Sequence, residues 1–356
     1  MVDFATSANK LSLTSMNTAD KRNNNCLNTI RLLAAIQVLY MHTVSHLKID
    51  MPSTFIAKAM DNFIYFFDGV PIFFTLSGFL IWHSIGRSKT FGEYCKKRFW
   101  RIYPELWMAV FIELIVVTIL YNRPFNWTQF GLFGITQSTI FQFWTPEFLK
   151  DYGCGCPNGS LWTICVLIQF YFFAYFLYKA LHNRKNHIWF ITIAVSTLLA
   201  YLTPILNSYM PDTIAKLYKQ TIFPYLWLFL SAAYVAEKRE TFMPFIIKNW
   251  WVFIAMAIFF FATRFDIKAS YYLFSTITLF VGILGASYVF PKLNIKSDIS
   301  YGIYIYHMTV VNALIVLGYS HSVMLLPIVL AMTSLLAFIS AKTIGRISMK
   351  AKYKNA

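Results

Sequence analysis

The sequence predicts an all-α polytopic membrane protein, a bundle of about ten transmembrane helices with both termini in the cytoplasm. Composition is the first observation behind this fold class: 58% of the 356 residues are hydrophobic and 13% are charged, against roughly 25% charged in a soluble protein. The second is that the apolar residues form stretches long enough to cross a bilayer core of about 30 Å. Disorder, collagen and a disulfide scaffold are excluded by 35 Phe, 14 unpatterned Gly and only 5 Cys.

Ten stretches could span the membrane, and the residues before them, 1–28, form a polar tail with no signal-peptide core. The ten stretches are 29–47, 62–84, 103–121, 161–181, 188–207, 220–236, 243–263, 269–290, 299–318 and 322–342. The transmembrane domain is therefore 29–342, with an external loop at 122–160, followed by a short basic tail at 343–356. Inside that loop, 128–144 is nearly long enough to span. Its three Gln and two Gly favour an interfacial or re-entrant segment instead.

The distribution of basic residues predicts the orientation. With the N-terminus inside, the inside segments hold 22 Lys and Arg, the outside loops hold 8, and Arg31 lies within the first span. Positive charge collects on the cytoplasmic side of membrane proteins, so both termini are expected there. We attribute the formal net charge of +16 to topology, and no nucleic-acid partner is expected.

The first span carries ionisable residues, which are costly in a membrane and mark candidate sites. Arg31 and His42 are eleven residues apart, which places them on one helix face within about 20° and about 16 Å apart along the axis. The alternative is a snorkelling Arg and a His that only bonds a neighbouring helix. His42 and His46 have the spacing of a metal pair, but no second ligand cluster completes a shell, so no metal is expected.

The second span contains Asp68 near the depth of His42, with Gly69, Pro71 and Gly78 permitting a break in its backbone. Asp68 is a candidate to orient and charge-stabilise the His42 imidazole. The alternative is an ordinary Asp near the membrane interface.

Arg98 and Arg101 precede the third span in a cluster of four cations, and they share a helix face. Two guanidinium groups in this arrangement suit a phosphorylated ligand at the mouth of the bundle. The cluster is equally typical of a positive-inside signal.

Further polar groups lie in later spans, including Glu113 in the third and His307 in the ninth. Together with the tyrosines near His307, such groups are candidates to line a polar cavity. Hydrogen bonding between helices is the competing interpretation for all of them.

Five segments in register resemble the signatures of the acyltransferase 3 family, from about residue 29 to 340. The segments are Arg31 and His42 with ten residues between them, Phe73–Phe79, Arg98–Pro104, Leu161–Tyr171 and Tyr301–His307. One departure stands out, because Leu167 occupies the place where family members often carry an acid. The function of that acid must then fall to another group, such as Asp68, or be absent.

The resemblance implies an enzyme that transfers acyl groups, most often acetyl from cytoplasmic acetyl-CoA, to sugars outside the membrane, including O-antigen. It implies a multi-pass protein of the bacterial inner membrane that acts on a lipid-linked or surface glycan and uses acetyl-CoA as co-substrate. The resemblance, together with the placement of Asp68, gives three sets of site residues. They are His42, Arg31 and Asp68 for catalysis, Arg98, Arg101, Ser77 and Gly78 for the CoA side, and Trp162, Gln169, Tyr301 and His307 for the substrate.

Two other function classes compete with the acyltransferase. A secondary transporter also uses buried His, Asp and broken helices, but the break in the second span has no counterpart in the seventh. A non-catalytic scaffold for glycan assembly predicts that no single polar residue is essential. Specificity for the acceptor is expected in the external loop, whose aromatic residues suit sugar faces but are also ordinary membrane anchors.

Overall fold

A computed structural model describes residues 25–291 and 298–345. These residues form fourteen α-helices, with no β-strand among them apart from an isolated bridge between Lys268 and Tyr272. The helices are α1 (Leu27–His46), α2 (Phe55–Phe66), α3 (Gly69–Gly86), α4 (Phe91–Leu120), α5 (Trp127–Gln137), α6 (Trp162–Leu181), α7 (Asn186–Ser208), α8 (Asp212–Tyr218), α9 (Leu226–Glu237), α10 (Arg239–Lys248), α11 (Trp250–Thr263), α12 (Leu273–Val289), α13 (Ser300–Val316) and α14 (Leu325–Lys342). The all-α membrane fold is confirmed. Most of the two predicted tails, 1–24 and 346–356, lies outside the described residues.

Five helices of the described part are long and apolar enough to cross a membrane by length and composition, and a bent pair raises this to six. One of the five runs from Phe55 to Gly86 and includes both α2 and α3. Two shorter apolar helices, α12 and α13, lie where spans are predicted. The count of ten spans and the side on which the termini lie remain predictions.

Two stretches predicted as single continuous spans are interrupted or bent in the structure. The stretch 62–84 is interrupted at Phe67 and Asp68, because the Asp68 carboxylate caps the new helix α3 by accepting a hydrogen bond from the Val70 amide at 3.2 Å. No break occurs at Gly78, which lies inside α3. The stretch 243–263 is bent by 76° between α10 and α11. The helix in the segment 128–144 is α5, which begins one residue earlier and has eleven residues, too few to cross a bilayer.

α13 lies at the centre of the bundle, since 14 of its 17 residues are buried. Its His307, Thr309 and Asn312 are polar and buried, and polar side chains within a membrane span face other helices rather than lipid. α13 packs against α1, α4 and α14, and α1 in turn packs against α3, which also contacts α6 and α9. The space enclosed by α1, α3, α4, α6 and α13 holds the candidate site.

Candidate active site

A cavity of about 180 Å³ lies among these five helices. α3 lines it from Val70 to Ile81, a rise of about 16 Å along the helix axis. Beyond Ile81, the Ser84 hydroxyl accepts a hydrogen bond from Arg98 at 2.8 Å, so the arginines lie at that end. We call this the arginine end, formed by Arg31, Arg98 and Arg101. The opposite end, the closed end, is formed by Val70, Phe73, Thr163 and Tyr304.

Asp298 organises the arginine end. Its Oδ2 accepts hydrogen bonds from Arg31 Nη1 at 2.9 Å and from Arg101 Nη2 at 2.8 Å. Its Oδ1 accepts from the Ser300 hydroxyl at 2.5 Å and from the Ser300 amide at 3.2 Å. Burial disfavours the charged carboxylate, but the two guanidinium charges and these hydrogen bonds outweigh it and hold the pKa of Asp298 well below its usual range. Asp298 is therefore a fixed anion that orients two of the three cations.

Arg98 differs from its two neighbours because it has no carboxylate partner among the residues described. Its guanidinium lies over the rings of Tyr94 and Tyr171, at 5.8 and 5.4 Å from their centroids. Within 25–291 and 298–345, its buried Nε–H has no hydrogen-bond acceptor. An unsatisfied buried donor costs free energy until an acceptor arrives. Besides Asp298, the buried Glu105 also lies near Arg101 and Arg31. Three guanidinium groups against two carboxylates leave a net positive charge, which suits the phosphates of a CoA ester.

The buried His307 and the partly buried His42 form a pair beyond the closed end. His42 Nδ1 lies 3.1 Å from His307 Nε2 and 3.0 Å from the Met308 sulfur, and His307 Nδ1 lies 3.3 Å from the Ile303 carbonyl oxygen. A carbonyl only accepts, so the network assigns the proton of a neutral His307 to Nδ1 and leaves Nε2 as an acceptor. His42 then donates from Nδ1 to His307. The lone pair of His42 is consequently on Nε2, in the tautomer that can act as a base.

The predicted partner of His42 therefore changes. The sequence places Asp68 beside His42, but within the described residues no hydrogen bond joins them, because Asp68 caps α3 and lies near Thr75 and Ser275 in a small separate cavity. His307, expected to contact substrate, instead contacts His42. The catalytic role of Asp68 therefore stays a prediction.

Two residues predicted for the CoA side have different surroundings. Ser77 lines the cavity. Gly78 faces α9, where an added Cβ would lie 2.2 Å from the Phe229 carbonyl oxygen. Gly78 thus permits close packing of α3 on α9, which is a structural reason for a glycine at this position.

Of the residues predicted to contact substrate, only Tyr301 lines the cavity, and its hydroxyl donates to the Ile102 carbonyl at 3.2 Å. Trp162 packs edge-on against Phe74, at 6.4 Å between ring centroids. Gln169 donates to the Gln220 carbonyl at 2.6 Å. Leu167, in the place of the family acid, also lines the cavity, so the site is less acidic here than the family pattern implies.

Two buried amides fasten the segment before α6 to α13, and sequence reasoning did not identify them. Asn312 donates from Nδ2 to the Cys156 and Pro157 carbonyls at 3.0 and 2.8 Å and accepts from the Cys154 amide at 2.8 Å. Asn158 donates to the Ile305 carbonyl at 2.9 Å. For Asn312 the usable signal was an amide inside an apolar span, since a buried amide must find partners. Asn158 lies in the external loop and has no such signal.

Comparison with known proteins shows which family the chain belongs to. Residues 24–342 match the family model described as an acyltransferase domain. The chain belongs to the acyltransferase 3 family. It is therefore a multi-pass membrane acyltransferase, as the helical architecture and the five motifs predict.

Two curated proteins are similar to this acyltransferase. Over 320 residues it is 27% identical to Nodulation protein 10 of Rhizobium leguminosarum bv. viciae, covering 84% of this chain and 85% of that protein. Over 176 residues it is 28% identical to the O-acetyl transferase of Shigella phage Sf6, covering 49% of this chain and 51% of that protein. No solved structure matches the chain.

Proposed function

We propose that this acyltransferase moves acetyl from cytoplasmic acetyl-CoA to a sugar hydroxyl of a surface polysaccharide such as O-antigen. The observation that carries the proposal is the axial arrangement of the site: three arginines at one end of a cavity and a histidine pair just beyond the other. The similarity to a protein named O-acetyl transferase supports acetyl and an oxygen acceptor. The bias of basic residues supports a bacterial inner-membrane location with the arginine end facing the cytoplasm.

The arginine end binds the phosphates of the donor in this proposal. Arg98 offers its unpaired Nε–H, while Arg31 and Arg101 are held in place by Asp298. The apolar part of the cavity, about 16 Å along α3, accommodates the pantetheine arm. The thioester is thereby delivered toward the closed end, on the side of the histidine pair.

His42 acts as general base at the other end. Its Nε2 takes the proton of the acceptor hydroxyl as the oxygen attacks the thioester carbonyl. The C–O bond forms, the C–S bond breaks, and the proton passes to the departing CoA thiolate. His307 keeps the reactive lone pair on Nε2 by accepting the hydrogen bond from Nδ1.

Radiolabelled acetyl-CoA and membranes that contain the endogenous glycan test the proposal. We expect label in the polysaccharide with the wild-type protein and none with His42→Ala at matched expression. Mass spectrometry of surface polysaccharide from cells with and without the gene should show an added acetyl group. Consumption of acetyl-CoA without labelling of a glycan would contradict the proposed acceptor, and no consumption would contradict the proposed donor.

A further inference from the structure

The cavity ends before it reaches the histidine pair. Neither His42 nor His307 is among the residues that line it, whereas Phe73 and Tyr304 are. The Phe73 ring meets the Tyr304 ring edge-on at 5.4 Å between centroids, and Tyr304 also contacts the His307 ring at 5.8 Å. The Phe73 and Tyr304 rings thus form a layer that connects the cavity lining to the histidine pair.

The positions along the helices agree with this separation. Gly69, beside the closed end, packs against Ala34, Gln37 and Val38 of α1. His42 is four to five residues further along α1 than the last two, or about 6–8 Å. A thioester that stops inside the cavity therefore does not reach His42.

The two rings of this layer are held very differently. The Tyr304 hydroxyl is hydrogen-bonded to the Thr163 hydroxyl at 2.6 Å and to the Ser160 carbonyl at 3.3 Å, and Tyr304 is buried. Phe73 is only partly buried, borders the open volume of the cavity, and has no polar group to anchor it. A side chain in that position can change its χ1 rotamer. Phe73 is the movable member of the pair.

We propose that Phe73, closing against Tyr304, separates the donor cavity from the histidine pair and sets the size of the acyl group that reaches His42. This inference rests on the proposed acyl-CoA donor. Passage of the acyl group requires the Phe73 ring to turn away, and the space that opens is bounded by Val70, Thr163 and the fixed Tyr304. Such a space admits a short acyl group more readily than a long one.

The barrier has a second consequence, because it keeps water on the histidine side away from the thioester. If Phe73 is truncated, water takes the place of the sugar hydroxyl. Its oxygen bonds to the acyl carbon, the C–S bond breaks, and the products are the free acid and the CoA thiol. A merely structural role for Phe73 would not raise this hydrolysis.

The experiment compares wild-type protein, Phe73→Ala and Phe73→Leu in membranes with radiolabelled acetyl-CoA and butyryl-CoA, and measures both glycan labelling and released thiol. We expect the butyryl-to-acetyl transfer ratio to rise about tenfold or more in Phe73→Ala, since a methylene in a fitted pocket is worth about tenfold or more. Thiol release without glycan labelling should also rise. Phe111→Ala is the matched control, because it removes the same side chain from an exposed position on α4 that does not line the cavity, and its ratio should stay at the wild-type value.

The outcomes separate the two proposals. Wild-type transfer of acetyl with an unchanged ratio and unchanged hydrolysis in both Phe73 variants overturns the role of Phe73 alone. A parallel change in Phe111→Ala also overturns it, because the effect would then not belong to the cavity. If the wild-type protein uses neither thioester, the proposed donor fails and this inference fails with it. If Phe73→Ala does not accumulate in membranes, the comparison of Phe73→Leu with wild type gives the transfer ratio and the hydrolysis.

Discussion

Replacing Asp298 by Asn tests whether the arginine end is organised by one carboxylate. Asn has nearly the same shape but no charge, so Arg31 and Arg101 lose the anion that both of them share. The two like charges then repel each other at the mouth of the cavity. We expect the protein to fold and insert, and the donor-binding geometry to be lost.

The magnitude follows from the two ion pairs. Hydrogen bonds to charged groups contribute about 1.5–3 kcal/mol each. The side chains of Asp298 and Arg31 are 21% exposed and that of Arg101 is 31% exposed. Solvent screening therefore reduces the combined contribution of the two ion pairs toward the lower end of this range. A combined loss of about 2–3 kcal/mol corresponds to a fall in kcat/KM for acetyl-CoA of roughly 30- to 150-fold.

The assay is transfer of labelled acetyl to glycan in membranes over a range of acetyl-CoA concentrations. Glu147→Gln is a matched control, because that exposed carboxylate pairs only with Lys150 among the described residues, and exposed pairs contribute little. Its kcat/KM should equal the wild-type value. A kcat/KM for Asp298→Asn within threefold of wild type, at matched expression, would refute the role assigned to Asp298.

Three further predictions concern the residues of the proposed reaction. His42→Ala should abolish acetyl transfer in the radiolabel assay while the protein still accumulates in membranes. Transfer by this variant at the wild-type rate would contradict the proposed mechanism. Arg31→Lys should retain partial activity and Arg31→Ala little, since Lys keeps the charge but lacks the planar fork; equal rates of the two would exclude an oriented contact. His307→Gln should retain more kcat than His307→Phe, because a Gln carbonyl can still accept from His42 Nδ1 whereas Phe cannot; equal kcat values would remove the tautomer argument.

The sequence predicted the features that depend on the residue pattern within a single helix. Apolar stretches located the helices of the bundle, and helical spacing placed Arg31 and His42 on one helix, where the structure has them at the mouth of the cavity and beyond its closed end. Arg98 and Arg101 were predicted to bind an anion because they share a helix face, although the same cluster also suits a positive-inside signal. Each of these inferences needs only the residues of a single helix.

The sequence did not predict pairings between distant residues. Asp298 lies 267 residues from Arg31, just before α13, where an acidic residue near a membrane interface carries no signal of its own. His307 lies 265 residues from His42, and Asp68 was favoured because the direction of the second span places it near the depth of His42. Asp68 was instead used locally, since a helix that begins at Gly69 leaves free amides that a carboxylate can satisfy.

Gly78 and Ser77 are adjacent in the chain, but Gly78 packs against α9 whereas Ser77 lines the cavity. Substitutions at the two positions therefore distinguish an effect on packing from an effect on acetyl-CoA binding. A Cβ at Gly78 would lie 2.2 Å from the Phe229 carbonyl oxygen and 3.0 Å from its Cα, so α3 and α9 must move apart. Overpacking of this kind costs about 1–3 kcal/mol. Gly78→Ala should therefore lower the Tm of the detergent-solubilised protein. Ser77→Ala, which adds no volume and faces the cavity, should leave Tm unchanged and raise KM for acetyl-CoA. An unchanged Tm for Gly78→Ala would return Gly78 to the candidates for CoA binding.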